Sequence, residues 1–487
     1  MKHHRPRLQT GEVWPGRVLR LAEADGAHVE VEAPEGPVVV RVPGAVPGDA
    51  LFVRIGHVGQ HAAWGKIERL DEPSPDRVDP PCPVVLRCGG CPWQMVILTA
   101  QYRTKQTELQ ERLGVLAAQT VWRPWQPHAR ATGYRTRALM MTRRVHGRLL
   151  LGFFAAGTDD LVAVDQCIVQ HPKVERVLHE VREILDRSGI TTWRDAQRPG
   201  QLRAVLFRLD PRQNEGLLTL VVTHDGGLAP IAAQLMEITG VSGVFANIQA
   251  AAGGAVLGME TRHLLGATTQ TVQLGQTALA IGATAFLQTR HDAAEAIVQT
   301  IAQFLPAQVR HLVDLYAGVG VFGLALRDRA ARVTLVERDA AAVVDAEANI
   351  ARLRAANVQM VGESAEAFAP GLAALRPDAI VLDPPRAGCA PAVLAALAEV
   401  PAGAHIVYVS CNGVSLARDL AVLALQGWQL DEIAPIDMFP HTPHAEWVVH
   451  LTRPPSPEPA VSEPAVEKAK IEGAKVARVR KKAAATS

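Results

Sequence analysis

Two short stretches carry groups suited to covalent chemistry on a ring. One is Ser410-Cys411-Asn412-Gly413, a thiol at the end of an apolar, strand-like run; the other is Asp383-Pro384-Pro385-Arg386-Ala387-Gly388. Two prolines after an acidic strand end make a stiff, extended edge able to shape a flat slot for a planar group. Hydride transfer has no use for a thiol facing that slot, whereas alkylation of a ring carbon does. Carbon 5 of a pyrimidine is too weak a nucleophile to take a methyl group directly. A thiolate that adds to carbon 6 generates an enolate, which attacks an activated methyl; a base must then remove the carbon-5 proton before the thiol leaves. Cys411 is the candidate nucleophile. His441, His444 and Glu446, in the run Asp437–Glu446 that leads into the last strand, are candidate bases, although each histidine is also explained by loop packing.

The methyl donor needs its own site. Asp314-Leu315-Tyr316-Ala317-Gly318-Val319-Gly320-Val321-Phe322-Gly323 reads as a strand-to-helix turn with glycines in G-x-G-x-x-G spacing, and Glu337 ends the next strand. A carboxylate there suits the two hydroxyls of an unphosphorylated ribose, in a nicotinamide dinucleotide or in S-adenosylmethionine alike. The alternatives are helix capping for Asp314 and a plain surface carboxylate for Glu337. A second constellation is Cys82, Cys88 and Cys91, with Cys167 as the fourth thiol by elimination and Cys389 as a spare. Four thiolates suit zinc or a [4Fe–4S] cluster, and one C-x5-C-x2-C run completed by a distant cysteine favours iron–sulfur.

These groups need a scaffold. The chain has 487 residues, 48% hydrophobic and 20% charged, which excludes a mainly disordered or collagen-like protein and suggests about three domains. Residues 10–70 alternate short β-branched runs with Gly and Pro, the pattern of a small closed β-barrel. Residues 71–285 mix helical stretches such as Val174–Leu185 with strand-like ones such as Arg203–Leu209 and Leu217–Val222, an α+β unit around the cysteines. Residues 286–453 alternate apolar strands (Leu312–Tyr316, Val333–Glu337, Ala379–Asp383, Ile406–Ser410, Val448–Leu451) with helices (Ala293–Phe304, Ala340–Ala355, Ala390–Leu397, Leu416–Leu425). That alternation predicts a parallel, doubly wound sheet, with ligands beyond the carboxyl ends of its strands. Residues 454–487 read as a Pro/Ser/Glu linker feeding a disordered basic tail, Lys468–Lys482, either attractive to polyphosphate or dispensable. The net charge of +1 gives no lead on partners. No stretch approaches the ~18–20 apolar residues of a membrane span, and Met1-Lys2-His3-His4-Arg5 opens no signal peptide, so a cytoplasmic protein is expected.

Taken together, Asp383-Pro-Pro-Arg, Ser410-Cys411-Asn412 and Phe439-Pro-His-Thr with Glu446 resemble the catalytic motifs of the RNA uracil-5 methyltransferase family. The resemblance is to its ribosomal-RNA members with an N-terminal TRAM domain and covers all but the tail. It implies a TRAM-like RNA-binding barrel, a [4Fe–4S] cluster on Cys82, Cys88, Cys91 and Cys167, and a Rossmann-like catalytic domain. By the same resemblance Cys411 is the nucleophile and Glu446 the base. Gln288, Tyr316, Glu337 and Asp383, with Val321 and Ser364, would hold S-adenosylmethionine. Three positions depart from the family pattern: Arg290 replaces an Asn, Gly413 a Pro, and Val321 a polar residue.

The expected activity is methylation of uridine carbon 5 in large-subunit ribosomal RNA by a monomer with no obligate protein partner. The target must be flipped out or lie in a single-stranded loop, because a stacked base hides carbon 6. Arg54, Lys66, Tyr134, Arg135 and Arg137 are candidate RNA contacts. Transfer RNA is the alternative substrate, disfavoured because simpler transfer-RNA members usually lack barrel and cysteines. Cytosine is an alternative base, and a non-catalytic RNA-binding protein the alternative of another class.

Overall fold

The structure is a computed structural model. It describes residues 8–454 except 23–25, 35, 127–129, 195–199, 211, 252 and 254. The basic tail beyond Pro454 lies outside the described residues.

The first five strands, Val13–Arg20, Ala27–Ala33, Gly36–Val42, Ala50–Val58 and Ala63–Glu72, form a closed barrel. Alternation drives closure: Val29, Val31, Val40, Val42, Val53 and Ile55 fill the interior, while the residues between them face outward. A seven-stranded sheet follows, built from Arg137–Val145, Arg148–Phe154, Leu161–Ala163, Leu202–Asp210, Glu215–Val222, Val241–Ile248 and Glu260–Gly266. The amphipathic helix Pro172–Arg187 packs Val174, Val177, Leu178, Val181 and Leu185 into its core.

The third sheet positions the site. Its order is Val358–Val361, Ala330–Val336, Val309–Leu315, Ala379–Leu382, His405–Ser410, Glu446–Thr452, Gln429–Ile436 and Val121–Trp122. The first five are parallel, as the alternation with helices requires. Both faces are buried: Leu312, Val333, Val381 and Val407 pack on one side, and Val313, Val336, Ile380 and Ile406 on the other. That explains why these strands read as continuous apolar runs. All expected strands and helices of this region are present.

The sheet departs from an all-parallel one. Glu446–Thr452 runs antiparallel to both neighbours, Gln429–Ile436 is an additional strand, and Val121–Trp122 adds an edge. The helix Leu98–Leu113 and the edge strand, from the segment expected in the central unit, therefore serve the catalytic sheet; the helix packs on Gly413–Leu425. The hairpin Gln270–Leu274 and Thr277–Ile281 is tied to helix Ala340–Arg352 by paired bonds between Ala280 and the Asn349 amide, 2.7 and 2.9 Å.

Candidate active site

Register brings the reacting groups together. Leu315 pairs with Val336 and with Leu382, so Tyr316, Glu337 and Asp383 leave three neighbouring strands at one level. This is the point where the chain crosses to opposite sides of Val309–Leu315, the crevice in which doubly wound sheets bind ligands. Ser410 pairs antiparallel with Trp447, which sets Cys411 opposite Glu446. A parallel last strand would have put Glu446 at the far end of the sheet. Reversal of that strand is what joins base and thiol.

A cavity of about 530 Å³ collects these residues: Gln288, Tyr316, Gly318, Glu337, Asp383, Arg386, Cys411 and Glu446 line it with Phe286, Met438 and Phe439. Gln288 Nε2 donates to Asp383 Oδ2 at 3.4 Å, and its buried Oε1 has no partner. Glu337 accepts from Gly318 N at 2.9 Å and from Arg338 N and Asp339 N at 2.8 Å, which ties the glycine turn to the second strand end. Tyr316 holds a left-handed φ of 65° at the turn, and the Tyr316 hydroxyl is pushed upward in pKa by burial. The open polar atom on Gln288, the carboxylates and the apolar walls fit a donor that carries a ribose, a cationic centre and an adenine.

Asp314 behaves as the capping alternative has it. It is fully buried, and Oδ2 accepts from Gly323 N at 2.8 Å. Burial pushes its carboxyl up to about 8. An unfolded aspartate ionises near 3.8, so between about pH 4 and 8 the folded chain holds a proton that the unfolded chain has lost, and stability falls as pH rises. Asp314→Asn removes this loss. The variant should melt higher than the wild type at pH 8, with the gap closing by pH 4; thermal melts across that range check it.

Burial likewise raises the two site carboxyls. Asp383 stands at about 7, and Glu446, 6% exposed, lies well above an ordinary glutamate because of burial and the Asp383 charge, with Arg386 opposing. The Cys411 thiol is raised by burial and then by Glu446, while the Arg386 guanidinium lowers it and hydrogen-bonds it. Cys411 and Arg386 also face a second trough of about 190 Å³, lined by Lys105, Leu109, Arg112, Asn412, Pro443, His444 and Trp447. The thiol thus stands between a donor-sized cavity and a trough lined by Arg112, Arg386 and Glu108 and open to a second reactant.

Several expected residues sit elsewhere. Val321 packs in the core at the start of helix Val321–Ala325, because the turn after Gly320 points it away from the cavity. Ser364 caps Ala365–Phe368 by accepting from Ala367 N at 3.2 Å; Ala365 and Glu366 line the cavity instead. His441 is buried against Gln101, and burial lowers its pKa; His444 lines the trough. Arg290 pairs with Asp292 at 2.7 and 2.9 Å and covers the Tyr134 ring at 4.8 Å, outside the donor cavity. Gly413 opens a helix whose first turn Asn412 caps, a position proline also tolerates. Cys389 is a buried spare.

The other four cysteines share one place. Cys82, Cys88, Cys91 and Cys167 line a cavity of about 360 Å³ at the edge of the seven-stranded sheet, beside Phe153, Phe154 and Arg135. Burial raises the Cys91 thiol to about 12 and also raises Cys88 and Cys167. Among the described residues no three His, Cys, Asp or Glu side chains form a site for one metal ion. Four soft donors facing one cavity suit a thiolate-held metal ion or a polynuclear cluster. Of the candidate RNA contacts, Arg54 is engaged with Glu68 at 2.5 and 2.7 Å, and Lys66 is exposed. Arg135 donates to Arg137 O at 3.1 Å; Arg137, lowered to about 10 by burial, lies beside it.

Residues 269–454 match the family described as tRNA (Uracil-5-)-methyltransferase. An uncharacterized RNA methyltransferase of Thermosynechococcus vestitus is 36% identical over 423 residues, 85% of this chain and 93% of the relative. One from Halalkalibacterium halodurans is 33% identical over 422 residues, 84% of this chain and 91% of the relative. The chain belongs to the RNA uracil-5 methyltransferase family. It is a methyltransferase enzyme, and S-adenosylmethionine is the donor of the family. The fold is shared with the Pyrococcus abyssi tRNA (uracil-54, C5)-methyltransferase, solved with S-adenosyl-L-homocysteine: TM-score 0.73, 24% identity, 90% of this chain and 99% of that one. Among the described residues no helix is long and apolar enough to cross a membrane.

Proposed function

We propose that this methyltransferase converts a uridine of large-subunit ribosomal RNA to 5-methyluridine, with Cys411 as nucleophile and Glu446 as base. The observation that carries the reading is the antiparallel register that sets Cys411 opposite Glu446 at the rim of the donor cavity. S-adenosylmethionine supplies an electrophilic methyl group when bound. Gln288, Tyr316, Glu337 and Asp383 are the residues to hold it. Arg386 favours the thiolate of Cys411, which adds to carbon 6. Negative charge then develops on the ring, carbon 5 takes the methyl, and ionised Glu446 removes the carbon-5 proton as the carbon–sulfur bond breaks. Trp447, Arg112 and Lys105 line the side from which a flipped nucleotide reaches the thiol.

The separate barrel beside the catalytic sheet suits a structured RNA but does not choose its class, since the fold shared with the Pyrococcus abyssi tRNA enzyme covers 90% of this chain. Transfer RNA is the second reading, since the Pyrococcus abyssi enzyme named for it shares the fold over 90% of this chain. Unmodified ribosomal and transfer RNA offered in competition, followed by nucleoside mass spectrometry, decide between them. 5-Methyluridine chiefly in the ribosomal RNA is expected; accumulation in transfer RNA selects the second reading, and 5-methylcytidine overturns the uracil assignment.

Cys82, Cys88, Cys91 and Cys167 are proposed to hold a [4Fe–4S] cluster, which the methyl transfer does not consume. Protein purified without oxygen should carry about four irons per chain and visible absorbance, both lost in Cys88→Ser. One zinc ion per chain would contradict the cluster.

A further inference from the structure

The segment Asp437–Glu446 walls both cavities beside Cys411: Met438 and Phe439 face the donor side, and Pro443 and His444 the trough. At its centre His441 adopts a left-handed φ of 65°, a conformation disfavoured for a residue with a Cβ. Both of its backbone groups are held. His441 N donates to Gln101 Oε1 at 2.8 Å, and His441 O accepts from Trp93 N at 3.0 Å. Gln101 Nε2 donates in turn to Trp93 O at 3.1 Å and Val96 O at 2.8 Å, and lies 3.3 Å from His441 Nδ1. Gln101 is wholly buried and Trp93 is 1% exposed, so water cannot replace these bonds. Trp93 lies two residues beyond Cys91, and the neighbouring Gln94 accepts from Cys82 N at 3.3 Å. One amide thus joins the cysteine loop to the turn that precedes Glu446.

We propose that Gln101 is a positioning residue, through which the cysteine loop sets the stance of Glu446 toward the substrate. The proposal rests on Glu446 as the proton-abstracting base. Cys411 belongs to a different strand, His405–Ser410 and its extension, so its attack is less exposed to the same disturbance. Damage to the cysteine loop is expected to reach the chemistry as slowed proton removal rather than as lost donor binding.

The test compares two substrates in the full-length protein. Turnover on uridine RNA requires removal of the carbon-5 proton. Trapping on 5-fluorouridine RNA requires only attack and methyl transfer, because fluorine stands where the proton was. Gln101→Leu removes both polar functions, and Gln101→Glu keeps the acceptor for His441 N. Gln101→Leu should lose about tenfold to a hundredfold in kcat on uridine RNA, the scale of a misplaced catalytic group. KM for S-adenosylmethionine and the trapping rate should hold near wild-type values, and Gln101→Glu should retain more turnover. Cys88→Ser should add little to the kcat loss when Gln101→Leu is already present, since both act through one connection. Equal losses in turnover and trapping, or additive effects of the two substitutions, would overturn the proposal. If Gln101→Leu does not fold, the same split in Gln101→Glu decides. Wild-type protein that never traps the fluorinated RNA would instead sink the assignment of Cys411, and the two failures stay distinct.

Discussion

Cys411→Ala should abolish methyl transfer, with a loss of about four orders of magnitude or more in kcat, because among the described residues no other thiol lines either cavity. The donor cavity keeps its carboxylates and Gln288 in this variant, so S-adenosylmethionine should bind with nearly unchanged affinity. Titration calorimetry and a radiolabelled methyl assay separate the two effects. Retention of turnover within tenfold would mean that the thiol is only part of the wall.

Glu446→Gln should arrest the reaction one step later. The methyl transfers, the proton on carbon 5 stays, and the covalent adduct between Cys411 and the RNA accumulates as a denaturant-stable complex. General-base removal costs about 10²–10⁴ in rate. The pH dependence has a definite sign. Burial and Asp383 raise the Glu446 carboxyl well above 4.5, and the base must be ionised, so wild-type turnover should rise with pH through that raised pKa. The rise should be absent from the residual turnover of Glu446→Gln. Buried glutamate that stays protonated also favours the fold at low pH, so wild-type stability falls as pH rises past the unfolded value, and the amide variant should lack this fall. A variant that stops turnover without any trapped RNA would point to another base.

Much of the scaffold was legible because its signals are local. Apolar runs such as Ile406–Ser410 announce buried parallel strands, and glycines at 318, 320 and 323 announce the strand-to-helix turn. The direction of the last strand was not legible, since an apolar run such as Val448–Leu451 is the same whichever way it pairs. Val121–Trp122 is too short to carry a period, and it joins Gln429–Ile436 across some three hundred residues of chain. Helix Leu98–Leu113 was missed as part of the site for a related reason: its sequence is largely polar, yet it buries Gln101 and Lys105.

Among site residues, Tyr316, Glu337 and Asp383 reach one cavity because strand ends fix their level, and Gln288 joins them from the loop before helix His291–Phe304. Val321 and Ser364 do not line it, because position in a motif leaves open which way a helix-start side chain turns. Lys105 has no sequence signal at all. Its ammonium is buried, donates to Asp437 Oδ1 at 3.0 Å and Phe439 O at 3.3 Å, and so anchors the start of the Glu446 segment. Only the fold brings those partners together.

Peptide mapping of the trapped complex tests the central claim most directly. Wild-type protein is incubated with S-adenosylmethionine and 5-fluorouridine RNA, digested with ribonuclease and protease, and the peptides are weighed. The peptide containing Cys411 should carry a methylated, fluorinated nucleotide. An adduct on another cysteine, or 5-methyluridine formed from ordinary RNA with no adduct from the fluorinated one, would contradict the account.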